Sequence, residues 1–385
     1  MRRAIIMEQK FDNAMRRQVY SIPELITQQY DLMEPRIREA LSFQEIFSLQ
    51  HIIITGCGDS MAAAMAVKQA FEQLTKMPIE VLPAIDVARF YPAKRCGGAP
   101  NDPLVITVSN SGKVSRVKEA IMRMNELGAL TLGITSGKTT PLGEVCQKVI
   151  DSSIPKFESA PGVRGFLASF EALLLLAIRI GEVKGRYTMD QAKAYRMDVK
   201  HSAEKLAAAL PAIDEKVYSI AEQWKDFPGF DFVGAGTDYA SAWYSHAKMI
   251  EAAGRYSMHV NTEEWLHLNF FVANSEHTGT VAFIDDANVS MGRMKEALHY
   301  MQVMERPLMV VSDADDLDVP EASLVKIPKT EYEVTSPIMS FIPGALLAGY
   351  VSSMSGEPYS RGFRTHWQFA EDASAIHKSN IEIVK

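Results

Sequence analysis

The sequence predicts an α/β protein built from two tandem, doubly wound parallel sheets, with a helical segment before them and a tail after them. Three observations predict this class. The chain has 385 residues, more than one hydrophobic core usually organises. Short apolar runs alternate with helical stretches, the pattern of parallel strands covered on both faces. That pattern occurs twice.

The repeat rests on four pairs. Residues 51–58 align with 230–236: each is an apolar run, then Gly-x-Gly (Gly56 and Gly58; Gly234 and Gly236), then an Ala-rich helical stretch. Residues 104–108 align with 281–284, and a Lys-Glu-Ala helix follows each, at Lys118 and Lys295. Residues 130–134 match 308–311, and Ile154-Pro155-Lys156 matches Ile327-Pro328-Lys329. Four matches at nearly one spacing exceed chance resemblance between βα units. The organisation that follows is a helical segment over 1–45, with Pro23 and Pro35 as breaks, and a first domain over 46–190. A helical connector over 191–228 carries Ala203, Leu206, Leu210, Ile213 and Val217 at helical spacing. A second domain covers 229–360 and a tail 361–385.

Composition narrows the function. Hydrophobic residues make up 47% and charged ones 23%, ordinary values for a soluble enzyme. A net charge of -7 offers no basic field to a nucleic acid. Cys57, Cys96 and Cys146 are too few for a disulfide framework or a cysteine zinc site. No Asp/Glu/His cluster has metal-ligand spacing, and neither Gly-x-Gly completes a dinucleotide fingerprint, so neither a metal nor a cofactor is expected. Polar Glu8, Gln9 and Lys10 follow Met1-Arg2-Arg3, which is unlike a signal peptide. The longest apolar stretch, 172–178, is too short to span a membrane and reads as a buried helix. The expectation is a soluble, cytoplasmic protein without nucleic-acid or membrane partners.

The chemistry begins at the ends of the strands, where parallel sheets bind ligands. The run 104–108 ends in Ser109-Asn110-Ser111-Gly112, and the first run ends in Gly56-Cys57-Gly58-Asp59-Ser60. Hydroxyls and helix N-termini favour a phosphate, and glycine allows close backbone approach. Helix capping by Ser and Asn is the structural alternative. The second copy carries Asp285-Asp286 where the first has Ser109-Asn110. Two carboxylates repel phosphate, so the fold is duplicated and the phosphate loop is not.

This ordered set resembles the sugar isomerase (SIS) family of flavodoxin-like domains, and the isomerase half of glucosamine-6-phosphate synthase in particular. Besides the two loops, residues 15–23 look like that family's entry segment. Gly162-Val163 stands where the family's backbone touches the sugar. Lys248-Met249-Ile250-Glu251 matches the helix of its catalytic Glu, Glu264-Trp265-Leu266-His267 its ring-opening His, and Ile376-His377-Lys378-Ser379 the tail that brings a Lys to the carbonyl. Three positions depart from the pattern. Asn110 stands where Gln or Glu is usual, and Val114 replaces Thr, with Ser115 one residue out of step. Leu268-Asn269 follows the His in place of Gly-Pro. The family's synthases also carry a glutaminase domain opened by a Cys nucleophile. This sequence has no early Cys, so no ammonia from glutamine is expected by that route.

The resemblance implies roles. Glu251, in an apolar helical setting, moves a proton between C1 and C2. His267 opens the sugar ring, Lys378 polarises the carbonyl or forms a Schiff base, and Lys248 holds Glu251 or assists ring opening. Cys57, Gly58, Asp59, Ser60, Ser109, Asn110, Ser111, Gly112, Ser115 and Val163 hold the phosphate and sugar. The resemblance also implies a homodimer in which His267 reaches the neighbouring subunit's site. Without it, Lys248 and Glu251 read as a helical ion pair, His267 as a core histidine and Lys378 as a solvated tail residue. Three functions stay open: an isomerase of a hexose or amino-sugar 6-phosphate, with or without deamination; a fructosamine 6-phosphate deglycase; and a non-catalytic sugar-phosphate-binding regulator.

Overall fold

A computed structural model describes residues 12–99, 101–370 and 374–384. The first eleven residues of the expected N-terminal segment, and 371–373 and 385 of the expected tail, lie outside the described residues. Contacts divide the chain into two compact units. The first-repeat unit is Glu24–Lys156, Gly165–Lys200 and Thr365–Lys385; the second-repeat unit is Met1–Pro23, Phe157–Arg164 and His201–Arg364.

In chain order the helices α1 (Ala14–Tyr20), α2 (Ile22–Ala40) and α3 (Phe43–Ser48) come first. Then follow β1 (Ile52–Gly56), α4 (Asp59–Thr75), β2 (Ile79–Pro83), α5 (Ala84–Arg89), β3 (Leu104–Ser109), α6 (Ser115–Glu126), β4 (Leu130–Thr135) and β5 (Lys148–Asp151). These five strands are parallel in the order β2-β1-β3-β4-β5. β1, β3 and β4 are buried along their whole length, which is why they read as unbroken apolar runs. Ile53 and Val105 of the sheet pack with Val87, Ala88, Val117, Ile121 and Met124 of α5 and α6.

Two long helices follow, α7 (Arg164–Val183) and α8 (Met189–Trp224). The second-repeat unit then brings β6 (Gly229–Gly234), α9 (Thr237–Ala253), β7 (Tyr256–Asn261), α10 (Thr262–His267), β8 (Thr278–Phe283), α11 (Met291–Val303), β9 (Leu308–Ser312) and β10 (Leu324–Lys326). It ends with α12 (Pro337–Ser340) and α13 (Ile342–Met354), before α14 (Ser374–His377) in the tail. The second sheet, also parallel, has the order β10-β9-β8-β6-β7. Read from its other edge this is the order of the first sheet. β1, β3, β4 and β5 thus correspond to β6, β8, β9 and β10, and the repeat in the sequence is a repeat in topology.

Two expectations need correction. Pro35 lies inside α2 and does not end it. A proline inside a helix costs about 3 kcal/mol. Leu25, Ile26, Met33 and Ile37 of this helix are buried, at about 1.5–3 kcal/mol each, so packing outweighs the break. Second, the stretch Glu333–Met354 is long and apolar enough to cross a membrane, but its apolar window is entirely buried in the protein. Its buried residues, among them Ile338, Phe341, Leu346 and Val351, add to the core of the second-repeat unit.

Candidate active site

In the first-repeat unit β1 and β3 are neighbours, with Thr55 beside Thr107, so the two Gly/Ser loops leave the same edge side by side. Neither helix they open is capped by a side chain: the cap positions are Gly58 for α4 and Val114 for α6. This removes capping as the reason for the serines. The Asn110 amide instead donates to the Gly165 carbonyl at 2.9 Å, which ties the loop to the start of α7. Gly112 has φ 61°, and a Cβ there would stand 2.5 Å from Thr140, so only glycine fits this turn. The first turn of α6 carries no acidic residue, leaving its positive end available to an anion. Ser60, Ser109 and Ser115 are nearly buried, while Cys57 and Ser111 are exposed.

The tail is fastened to α6 by arginines. Arg123, 3% exposed, donates to the carbonyls of Val384 at 2.7 Å, Val87 at 3.0 Å and Tyr91 at 2.8 Å. Arg89 bridges Glu119 and Glu382 at 2.5 and 2.7 Å, and the Glu382 N–H donates to Glu119 at 3.1 Å. Arg116 reaches Ser379 and the Asn380 carbonyl, both at 3.4 Å. These bonds set Lys378 at the edge of a cavity of about 510 Å³ that Lys113 and Ser115 also line. Lys378 and the start of α6, more than 250 residues apart in the chain, thereby line one cavity.

The second-repeat unit holds Lys248, Glu251, His267 and Val163. Lys248 and Glu251 form an ion pair one turn apart on α9. The lysine is fully buried, with Nζ 5.4 Å from the centre of the Tyr244 ring. The apolar setting expected for Glu251 is not found: its side chain is 43% exposed. It lies in the last turn of α9, where the helix surfaces. His267 is 63% exposed and bonds Glu263 at 3.1 Å, so it is not a core histidine. Trp265, two residues earlier, is fully buried and donates to Asp231 at 3.3 Å. The Val163 N–H donates to Gln18 at 3.2 Å, and the Gly162 carbonyl accepts from Tyr244 at 3.1 Å. Those two backbone groups are already engaged.

Where the first sheet ends in serines, the second ends in buried carboxyls. Asp285, just past β8, and Asp238, in the first turn of α9, are 3% and 1% exposed. Burial pushes the Asp238 carboxyl up to about 6. Burial and the neighbouring Asp238 hold Asp285 well above the usual carboxylate range. Asp238 Oδ2 accepts from the Asp285 N–H at 3.0 Å and from Asn288 at 2.7 Å.

Comparison with known proteins bears directly on the first of these units: residues 45–179 match the SIS domain profile. Beyond it, the chain is 23% identical over 372 residues to glutamine–fructose-6-phosphate aminotransferase (isomerizing) of Gloeobacter violaceus, covering 92% of this chain and 58% of the relative. The enzyme of the same name from Bordetella pertussis is 23% identical over 317 residues, 82% of this chain and 50% of the relative. The chain therefore spans little more than half the length of these relatives. Among solved structures it is similar to the C-terminal domain of glucosamine-fructose-6-phosphate aminotransferase from Francisella tularensis. The TM-score is 0.77 at 17% identity, over 90% of this chain and 97% of that one. A glucosamine-6-phosphate deaminase from Thermotoga maritima gives a TM-score of 0.62 at 18% identity, over 90% and 98%. At these identities the structures establish a shared fold.

Sequence reasoning missed the arginines that hold the tail against α5 and α6. Arg116 and Arg123 stand seven apart on one helix face, with Glu119 between them. In the sequence such a face reads as a solvated charge pattern. The signal available was that Val117, Ala120, Ile121 and Met124 already fill the apolar face of α6, but nothing local marks a second buried face.

Proposed function

We propose that this chain is a phosphosugar aldose–ketose isomerase acting on a hexose 6-phosphate or amino-sugar 6-phosphate. The observation that carries the reading is the tail: Arg89, Arg116 and Arg123 set Lys378 beside the helix that opens after the serine loop. The names of the relatives, which concern fructose 6-phosphate and glucosamine 6-phosphate, support the substrate class.

In this reading the phosphate is held by the hydroxyls of Ser60, Ser109, Ser111 and Ser115 and by the N-terminal N–H groups of α4 and α6. Binding there supplies remote energy for positioning. Lys378 donates to the carbonyl oxygen and stabilises the charge that grows on it. Glu251 takes the proton from the carbon next to the carbonyl, an enediol forms, and the same carboxyl returns the proton to the other carbon. Lys248 positions that carboxylate. His267 moves the proton to and from the ring oxygen during opening, and in a homodimer it serves the neighbouring subunit's site. On an amino sugar the same proton transfers turn the C2 amine into an imine, and water adds at C2 to release ammonia and leave the ketone.

The test is proton NMR in heavy water with glucosamine, galactosamine and fructose 6-phosphates and fructose-amino-acid 6-phosphates. Exchange at C1 or C2 that Glu251→Gln abolishes is the expected result, and the substrate consumed separates isomerase, deaminase and deglycase. Ligand-induced stabilisation without exchange on any of them would replace the isomerase by a sugar-phosphate-binding regulator.

A further inference from the structure

Near the end of the second-repeat unit the backbone turns left-handed for four residues. Ser360, Arg361 and Gly362 have φ of 51°, 58° and 62°, and Phe363 has φ of 50°. A side chain makes this conformation unfavourable, and chains ordinarily visit it one residue at a time. Three of these four residues are not glycine, so the turn persists only because contacts elsewhere offset its strain.

Arg361 supplies those contacts. Its Nη1 donates to the Ile250 carbonyl at 2.9 Å, and its Nη2 donates to the carbonyls of Glu251 at 3.1 Å and Ala252 at 2.6 Å. A helix leaves its last carbonyls without partners, and its C-terminal end favours a cation. One guanidinium thus takes three successive carbonyls at the end of α9. Its side chain is only 16% exposed, with Nε 3.8 Å from Glu357. Gly254, just past the helix, leaves room for it: a Cβ there would stand 2.6 Å from Nη1.

Glu251 belongs to this turn. Its carboxylate is paired with the buried Lys248, and its carbonyl accepts from Arg361. Side chain and backbone are therefore each fastened to a different cation. We infer that Arg361 is a positioning residue for Glu251: the left-handed turn aims it back at α9, and it closes the last turn of that helix so that the carboxylate keeps one place. This rests on the reading of Glu251 as the group that moves the proton. An unfastened last turn frays, and a displacement of about 1 Å at a reacting group costs about a hundredfold in rate.

The test compares Arg361→Ala with the unaltered whole chain, below the melting temperature of both, on the phosphosugar that undergoes exchange in heavy water. The expected result is a kcat lower by about tenfold or more. Glucitol 6-phosphate, an open-chain analogue with no carbonyl to react, should bind both proteins equally in titration calorimetry. Amide hydrogen exchange at Gly254, whose N–H closes the turn on the Ile250 carbonyl, should quicken in the variant. Arg361→Lys keeps the charge and loses the fork, and it carries the same three comparisons should the alanine variant not fold. A residue that only stabilised the fold would lower the melting temperature and leave kcat of the folded protein unchanged. That outcome overturns the inference and leaves the phosphosugar reading intact. So does a loss of glucitol 6-phosphate affinity in step with kcat, or a lower kcat with unchanged exchange at Gly254. Turnover of no phosphosugar by the unaltered protein overturns the inference and the isomerase reading together.

Discussion

Ser109 and Ser111 are the hydroxyls proposed to hold the phosphate. A hydroxyl bonded to a charged oxygen contributes about 1.5–3 kcal/mol, and neither serine is spent on capping α6. Replacing both by alanine should raise KM for a phosphorylated substrate at least tenfold with a smaller effect on kcat, as steady-state kinetics would show. Lys378→Met should do the reverse, lowering kcat with little change in KM, because its role is confined to the reacting carbonyl. A KM effect alone at Lys378 would reduce it to a binding residue. At this scale the sequence was informative wherever chemistry is local. Ser109, Asn110, Ser111 and Gly112 stand out in any strand-to-helix loop. Lys378 does not, since an isolated tail lysine carries no pattern of its own, and it entered only through resemblance.

β1, β3 and β4, and β6, β8 and β9, were legible because they are buried along nearly their whole length and leave unbroken apolar runs; β2, β5, β7 and β10 are only partly buried and left no such run. Packing decided what propensity did not. Pro35 signals a break, yet α2 runs through it on its buried face. The fastening of the tail was hidden because its bonds join Arg89, Arg116 and Arg123 to backbone carbonyls and to Glu382, far along the chain, and carbonyl acceptors have no sequence signature. Arg123→Ala removes three hydrogen bonds, one to the tail carbonyl of Val384 and two to the carbonyls of Val87 and Tyr91. The expected outcome is a lower melting temperature and faster hydrogen exchange or proteolysis in 374–384, with exchange in the second-repeat unit unchanged. Asp238 and Asp285 make a pH prediction for the end of the second sheet. A carboxyl held near 6 in the fold and near 3.8 when unfolded binds its proton more tightly in the folded state. Its contribution to stability is therefore full below about pH 4 and is lost as pH rises through about 6. Asp313, beyond β9, and Asp286, paired with Lys329, add to the local field. Asp285, also held above the usual range, contributes a slope of the same sign, so denaturant melts of Asp238→Asn should show a shallower downward slope between pH 4 and 6, and an unchanged slope would place the buried proton elsewhere.

For the whole molecule, the residues proposed for catalysis fall in different units: the serine loop and Lys378 in one, Lys248, Glu251 and His267 in the other. The exposure of His267 and the homodimer proposed above lead to a specific expectation about subunits. Glu251→Gln and His267→Asn should each be inactive as pure proteins. After unfolding and refolding together in equal amounts, half the dimers are mixed, and one site in each has both residues intact if His267 serves the neighbouring site. Recovery of about a quarter of the original activity is then expected. No recovery would put His267 in its own subunit's site.

The most direct measurement for the central claim is a crystal structure of the protein soaked with glucitol 6-phosphate. The account predicts the phosphate within hydrogen-bonding distance of Ser109 and Ser111 at the start of α6, with the C1 end of the ligand directed to Lys378. A phosphate bound away from the serine loop, or a ligand whose C1 end lies far from Lys378, would contradict it.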